Sequence, residues 1–271
     1  MELRKQEYEE IKTLWSSWLS LKDTELEAVI GKTTSGQWMD VMMRLRELGL
    51  QEEVQIPYLN IQLQNGMRFQ ITGEDAVKEY CKTNRLPESA VCTIKTKIPN
   101  VQPLDINEYD VRIKVRREQP LAREDIKFQE VVFQWSILPK TFRYIRRYSF
   151  SVPKGSGARF DLSMVRQSFN TMKSFTEADV LGRPITYEVE VEALRDEAGA
   201  EPLIFLGKVG HALQGKQRSF AIIRNSLKAE VEAGLKEVFG QNNKFPGPKA
   251  VTLEKKNISL GTDGAASSDT I

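Results

Sequence analysis

Residues 186–194 read TYEVEVEAL, with a carboxylate at every second position, Glu188, Glu190 and Glu192, and only valine between them. In an extended chain, successive side chains point to opposite faces, so the three glutamates share one side and Tyr187, Val189 and Val191 the other. The apolar side can enter a core. A row of like charges repels itself and glutamate is a weak strand former, so a strand here needs cations opposite its acidic face.

The same alternation recurs along the chain. In DVRIKVRRE, Arg112, Lys114 and Arg116 fall on one face; in FRYIRRYSF the set is Arg143, Ile145, Arg147 and Ser149, with Arg146 on the aromatic side. ARFDLSM aligns Arg159, Asp161 and Ser163, CTIKTKI aligns Lys95 and Lys97, and NGMRFQI brings Arg68 beside Gln70. TELEAVI repeats the acidic pattern with Glu25 and Glu27. One such strand alone reads as the solvated face of an antiparallel sheet. As a set the signs are segregated, acids at both ends of the strand series and bases between.

Closing such a sheet on itself would make the first and last strands neighbours. Glu25 and Glu27 would then meet Glu188, Glu190 and Glu192, and carboxylates brought to ~4 Å repel by about 4 kcal/mol at an effective dielectric of about 20. Hard divalent cations, Mg²⁺ or Mn²⁺, suit such oxygens. The middle strands would supply Arg68, Arg112, Lys114, Arg116, Arg143, Arg147 and Arg159, and guanidinium forks match phosphate oxygens. An acidic cation patch facing a basic wall is a receptor for a polyphosphate and, with a metal to activate water, a phosphohydrolase.

Composition narrows the alternatives. The 271 residues carry 39 basic and 37 acidic side chains, a net charge of +2, so anion binding must come from local arrangement. Two cysteines, Cys81 and Cys92, and one histidine, His211, are too few for a zinc site, a thiol redox pair or a Ser-His-Asp triad. The cysteines read as buried thiols and His211 as a loop or strand residue. With no long apolar run and an acidic, amphipathic N-terminus, the expectation is an intracellular protein, neither secreted nor membrane-spanning.

Residues 3–20 place Leu3, Tyr8, Ile11, Leu14, Trp15, Trp18 and Leu19 near a helical period, predicting a helix that plugs or braces the barrel. SGQWMDVMMRLRELG predicts a helix stopped by Gly49, Asn65-Gly66 a hairpin turn, and GEDAVKEYCKTN a short helix. REDIKFQEVVFQW reads as helix, as does residues 218–240, whose Phe220, Ile222, Ile223, Leu227, Val231, Leu235 and Val238 form a core-facing stripe. The organisation expected is one domain over residues 1–240, followed by a linker and disordered tail over 241–271.

These pieces, in order, resemble the triphosphate tunnel metalloenzyme family, and within it the RNA triphosphatases of mRNA capping in fungi, protists and large DNA viruses. TELEAVIG is similar to the first-strand glutamate motif and YEVEVEAL to the last; RFQITGEDAVKEYCKTN, VRIKVRREQPL, FRYIRRYSF and RFDLSMV resemble the basic strands between. FPGPKAVTLEKKNI resembles the segment that joins triphosphatase to guanylyltransferase in fused capping enzymes of large DNA viruses. The resemblance implies an α+β fold, a closed antiparallel eight-stranded β-barrel with flanking helices. It implies hydrolysis of the γ-phosphate from a 5′-triphosphate RNA end, with Mg²⁺ or Mn²⁺ as cofactor. Glu25, Glu27 and Glu192 would be metal ligands, Glu190 would orient the attacking water, and Glu188 would support the metal shell or a basic residue. Arg112, Lys114, Arg143, Arg147 and Arg159 would bind phosphates beside Arg68, with Arg116 and Arg146 as alternatives within arginine doublets, and Asp161 would orient a neighbouring base.

The chain also departs from the family. Val29 stands where the branch acting on small triphosphates has the lysine of ExExK, which argues against a small-molecule enzyme. GTDG, Gly261 to Gly264, lacks the lysine of the guanylyltransferase KxDG motif, so a guanylyltransferase partner in trans or fused is expected, with no DNA or membrane partner. Residence would be nuclear in a cell, or in the cytoplasmic factory or virion of a virus. The rival readings are a nucleoside triphosphate or tripolyphosphate hydrolase, and a non-catalytic subunit that binds polyphosphate or RNA ends.

Overall fold

The computed structural model describes residues 1, 3–151, 157–195 and 201–216. By internal contacts the chain divides into Met1–Arg224 and Asn225–Ile271, and every described residue belongs to the first unit. The helix expected over 218–240, the linker and the tail lie outside the described residues.

Among the described residues ten strands form one sheet: β1 (Thr24–Thr33), β2 (Gln51–Val54), β3 (Tyr58–Leu63), β4 (Met67–Thr72), β5 (Val91–Lys97), β6 (Leu104–Ile106), β7 (Val111–Leu121), β8 (Lys140–Ser151), β9 (Ala158–Gln167) and β10 (Thr186–Ala193). The spatial order is β1-β10-β9-β8-β3-β4-β5-β7, and β7 pairs back onto β1. All pairings are antiparallel, so the expected closed eight-stranded barrel is present. The short β2 and β6 extend the edges of β8 and β7. Neither was expected, because QEEV and LDI are too short to show alternation.

The apolar face of each barrel strand points outward, away from the lumen. Leu26, Ala28 and Ile30 of β1, Val111, Ile113 and Val115 of β7, Phe160 and Leu162 of β9, and Val189 and Val191 of β10 form one core with three helices. These are α1 (Lys5–Ser20), α2 (Ser35–Glu47) and the helical residues 202–216, α6. Over the far wall, Phe69 of β4 and Phe142 of β8 pack with α3 (Glu74–Thr83), α4 (Ile126–Phe133) and α5 (Phe175–Ala178). α1 therefore braces the outer wall and does not plug the lumen: Ile11, Leu14, Trp15 and Trp18 are buried, and Trp18 Nε1 donates to the Thr24 carbonyl at 3.1 Å. Leu19 is turned to solvent.

Local signals were followed closely. Thr34 caps α2 and Gln37 completes the reciprocal capping pair; Gly49, at φ 71°, follows its end. Gly66 takes φ 86° in the β3–β4 turn. His211 lies in α6, not in a loop or strand, because the amphipathic run containing it extends over 202–216. Cys92 is buried as expected, whereas Cys81 is half-buried. Among the described residues no helix is long and apolar enough to cross a membrane.

Trp18 is 1% exposed. Trp18→Ala should cost about 3–5 kcal/mol, measured by denaturant unfolding, because the wall beneath it cannot collapse into the space.

Candidate active site: a charged tunnel

Directly opposed residues in an antiparallel pair share a face, so the register reads out the lumen strand by strand. Glu27 stands opposite Lys114 on β7 and Glu192 on β10. Glu192 faces Arg159, Glu190 faces Asp161 and Glu188 faces Ser163 on β9. Ser163 faces Arg147 on β8, and Arg143 faces Asn60 on β3. Gln62 faces Arg68 on β4, and Lys95 on β5 faces Glu118 on β7. The five glutamates and the basic residues read from alternation thus line one tunnel.

Inside it the charges pair. Arg143 Nη2 donates to both oxygens of Glu188, at 2.6 and 2.7 Å. Arg147 reaches Ser163 Oγ at 3.0 Å, Asp161 at 3.1 Å and Glu190 at 3.3 Å. Arg159 holds Asp161 at 3.0 Å and Glu192 at 2.5 Å. Asp161 is 2% exposed, accepts from Ser149 at 2.7 Å and thus touches both arginines and the serine. On the opposite side Lys114 lies 3.1 Å from Glu27.

Three basic residues differ from the rest. Arg146 points to the outer surface, 4.0 Å from Glu74 on α3, because strand alternation sends the neighbour of Arg147 away from the lumen. It cannot substitute for Arg147 there. Arg112 is on the luminal face but at an exposed rim, held by Asp105 of β6 at 2.6 Å. Arg116 stands opposite Glu25 and Lys97 and makes no ion pair among the described residues.

Alternation placed Lys95 beside Lys97 without giving it a role, and its partner Glu118 was not among the residues singled out from the sequence. Lys95 Nζ is 2.9 Å from Glu25, 3.2 Å from Glu118 and 3.8 Å from Glu27, and Glu118 also pairs with Arg68. The alternation that exposed Lys114 and Arg116 runs on to Glu118, and only its opposite sign hid it.

Burial, with Glu27 nearby, pushes the Glu190 carboxyl up to about 7 even though Arg147 opposes the shift. Burial does the same to Glu192, up to about 7 against the pull of Arg159. The basic wall therefore compensates the acidic patch only in part. Among the described residues no three acidic, histidine or cysteine side chains converge as a ready metal site, since each carboxylate turns to a base. The donor set still fits a hard cation. Glu27 is 8% exposed, and its Oε1 accepts no hydrogen bond although Lys114 lies near it. Carboxylate oxygens on the adjacent strands β1 and β10 are the ligands such ions take.

No family model matches the chain, and no curated protein matches it in sequence. Solved structures do match. One contains the RNA triphosphatase domain of a trifunctional mRNA capping enzyme of mimivirus: it covers 79% of this chain and 98% of that one at 15% identity, with a TM-score of 0.59. A triclinic structure of the mimivirus capping enzyme triphosphatase covers 78% and 97% at 16% identity, with a TM-score of 0.58. The fold defines a closed, polar-lined tunnel barrel. More narrowly, it is the fold of that viral RNA triphosphatase domain, which the sequence resemblance implied.

A carboxyl whose folded pKa lies above its unfolded value of ~4.3 binds its proton more tightly in the folded state, so stability is lost as pH rises from there to ~7. In chelator-treated buffer the melting temperature should fall between pH 5 and pH 7.5. Glu192→Gln should flatten that fall; an unchanged slope would contradict the shift.

Proposed function

We propose that this protein is a metal-dependent RNA 5′-triphosphatase that removes the γ-phosphate of a 5′-triphosphate RNA end, the first step of mRNA cap formation. The observation that carries this reading is the tunnel itself: Glu25, Glu27, Glu188, Glu190 and Glu192 face Lys114, Arg143, Arg147 and Arg159 across one lumen. The fold likeness to a capping triphosphatase domain supports it.

Each side chain has a part in the reaction. Arg143, Arg147, Arg159 and Lys114 exchange their carboxylate partners for phosphate oxygens and place the chain of phosphates along the lumen, with Arg68 beyond them. Asp161 and Ser149 keep Arg147 and Arg159 aimed inward. Glu190, released from Arg147, holds the attacking water and takes its proton, for which a carboxyl poised near neutrality is suited. The water oxygen bonds to the γ-phosphorus, the bridging bond to the β-phosphate breaks, and a diphosphate RNA end leaves with inorganic phosphate. Glu188 keeps Arg143 in place. Glu25, Glu27 and Glu192 would hold Mg²⁺ or Mn²⁺, which supplies polarisation of a phosphoryl oxygen and offsets developing charge.

The diphosphate product is the acceptor for a guanylyltransferase, so we assign this chain a partner of that activity, in trans or fused. The mimivirus protein is itself a domain of a trifunctional capping enzyme.

With Mg²⁺ or Mn²⁺, the full chain should release phosphate from γ-labelled triphosphate RNA, and unlabelled triphosphate RNA should suppress hydrolysis of free nucleoside triphosphate at low concentration. Glu190→Gln and Glu27→Gln should each lower the rate at least ~100-fold with no loss of melting temperature. Wild-type protein inert with both metals would leave only a binding role.

A further inference from the structure

Lys95 has a place in this lumen that phosphate binding does not explain. Its backbone is fixed on β5, where its N–H donates to the Gly66 carbonyl at 3.0 Å, and a side chain at position 66 would press on the Lys95 carbonyl. Its ammonium, on a stem largely sequestered from solvent, lies 2.9 Å from Glu25 Oε2, 3.2 Å from Glu118 Oε2 and 3.8 Å from Glu27 Oε1. Burial opposes that charge, but the three carboxylates, Glu27 foremost, outweigh it and hold the lysine above its ordinary value. Lys95 is thus a small cation ringed by oxygen ligands from the two strands that close the barrel. Two of those ligands, Glu25 and Glu27, are the ones assigned above to the divalent ion.

We propose that Lys95 is a resident counter-cation of the metal site: it holds Glu25 and, beside the nearer Lys114, Glu27 when no divalent ion is bound, competes with that ion for them, and withdraws to Glu118 when it binds. The inference rests on the reading of Glu25, Glu27 and Glu192 as metal ligands. A lysine suits the task better than an arginine, because its compact charge sits on a flexible four-carbon stem and can swing without giving up a fixed planar fork. Glu118 suits it too: it belongs to β7, outside the ligand set, and its Oε2 accepts no hydrogen bond. Arg68 keeps Glu118 in place by a direct ion pair. Lys95 is by this argument a positioning residue that sets metal affinity and takes no part in the chemical step.

The test is a Mn²⁺ titration of the full chain followed by the electron paramagnetic resonance of the free ion, without phosphate, with Glu27→Gln defining the site-specific signal. Lys95→Met should bind Mn²⁺ more tightly, by roughly tenfold, the scale of one lost charge contact in a partly screened site. Glu118→Gln, which removes the alternative partner, should bind it several-fold more weakly. General damage to the lumen would weaken both, so the opposite signs distinguish the proposal from it, and Lys95→Gln repeats the first arm should the methionine variant not fold. Affinity for Mn²⁺ unchanged or lowered in folded Lys95 variants would overturn the proposal. So would metal-free tripolyphosphate binding that weakens in Lys95→Met while Mn²⁺ binding stays constant, which would make Lys95 a phosphate ligand. Absence of any Mn²⁺ binding dependent on Glu27, in wild type and variants alike, would sink the metal-site reading itself and this inference with it.

Discussion

The backbone pairing of β1 with β7, from Thr24 opposite Arg117 to Ile30 opposite Val111, closes the sheet, and the rest of the molecule follows from that closure. It places the first and last strands of the series side by side, so that two acidic rows far apart in sequence meet. It turns the charged strand faces inward, with Tyr58, Ile145 and Val165 clustered among them, and the larger apolar faces outward. A barrel made this way cannot stand alone in water, because its exterior would be a band of valine, leucine, isoleucine and phenylalanine. The helices answer that need: α1, α2 and α6 cover the acidic wall, and α3, α4 and α5 the opposite one.

The lumen obeys a second constraint, that charges withdrawn from water must find partners. Arg143 with Glu188, Arg147 with Glu190 and Asp161, Arg159 with Glu192, and Lys95 with Glu25 and Glu118 meet it pair by pair. Compensation is incomplete where β1 meets β10, since Glu190 and Glu192 both rise to about 7 there. On the proposed function, an anion that takes the arginines would free carboxylates, and a cation that takes the carboxylates would free arginines.

Much of this was legible in the sequence because a period of two needs no tertiary information. Once TYEVEVEAL and TELEAVI are read as strands, the shared face of Glu188, Glu190 and Glu192, and that of Glu25 and Glu27, follows from pleating alone. The outward direction of Arg146 follows in the same way, and its inclusion as a stand-in for Arg147 came from the Arg146-Arg147 doublet and not from the alternation. β2 and β6 were illegible, because three or four residues carry no period and their pairing depends on the long strands β8 and β7 beside them. The place of His211 in α6 was missed because a lone histidine among small residues carries little local preference.

Strand faces, sign segregation, the Asn65-Gly66 turn and the caps of α2 were determined by the sequence itself, since each rests on stereochemistry within a few residues. Which charge meets which was decided only by the tertiary structure. Lys95 and Glu118 lie on strands that alternation describes equally well, yet their joining with Glu25 depends on the register of β5 on β7 and of β7 on β1. Register between distant strands is set by closure of the whole barrel, and no local window of sequence contains it.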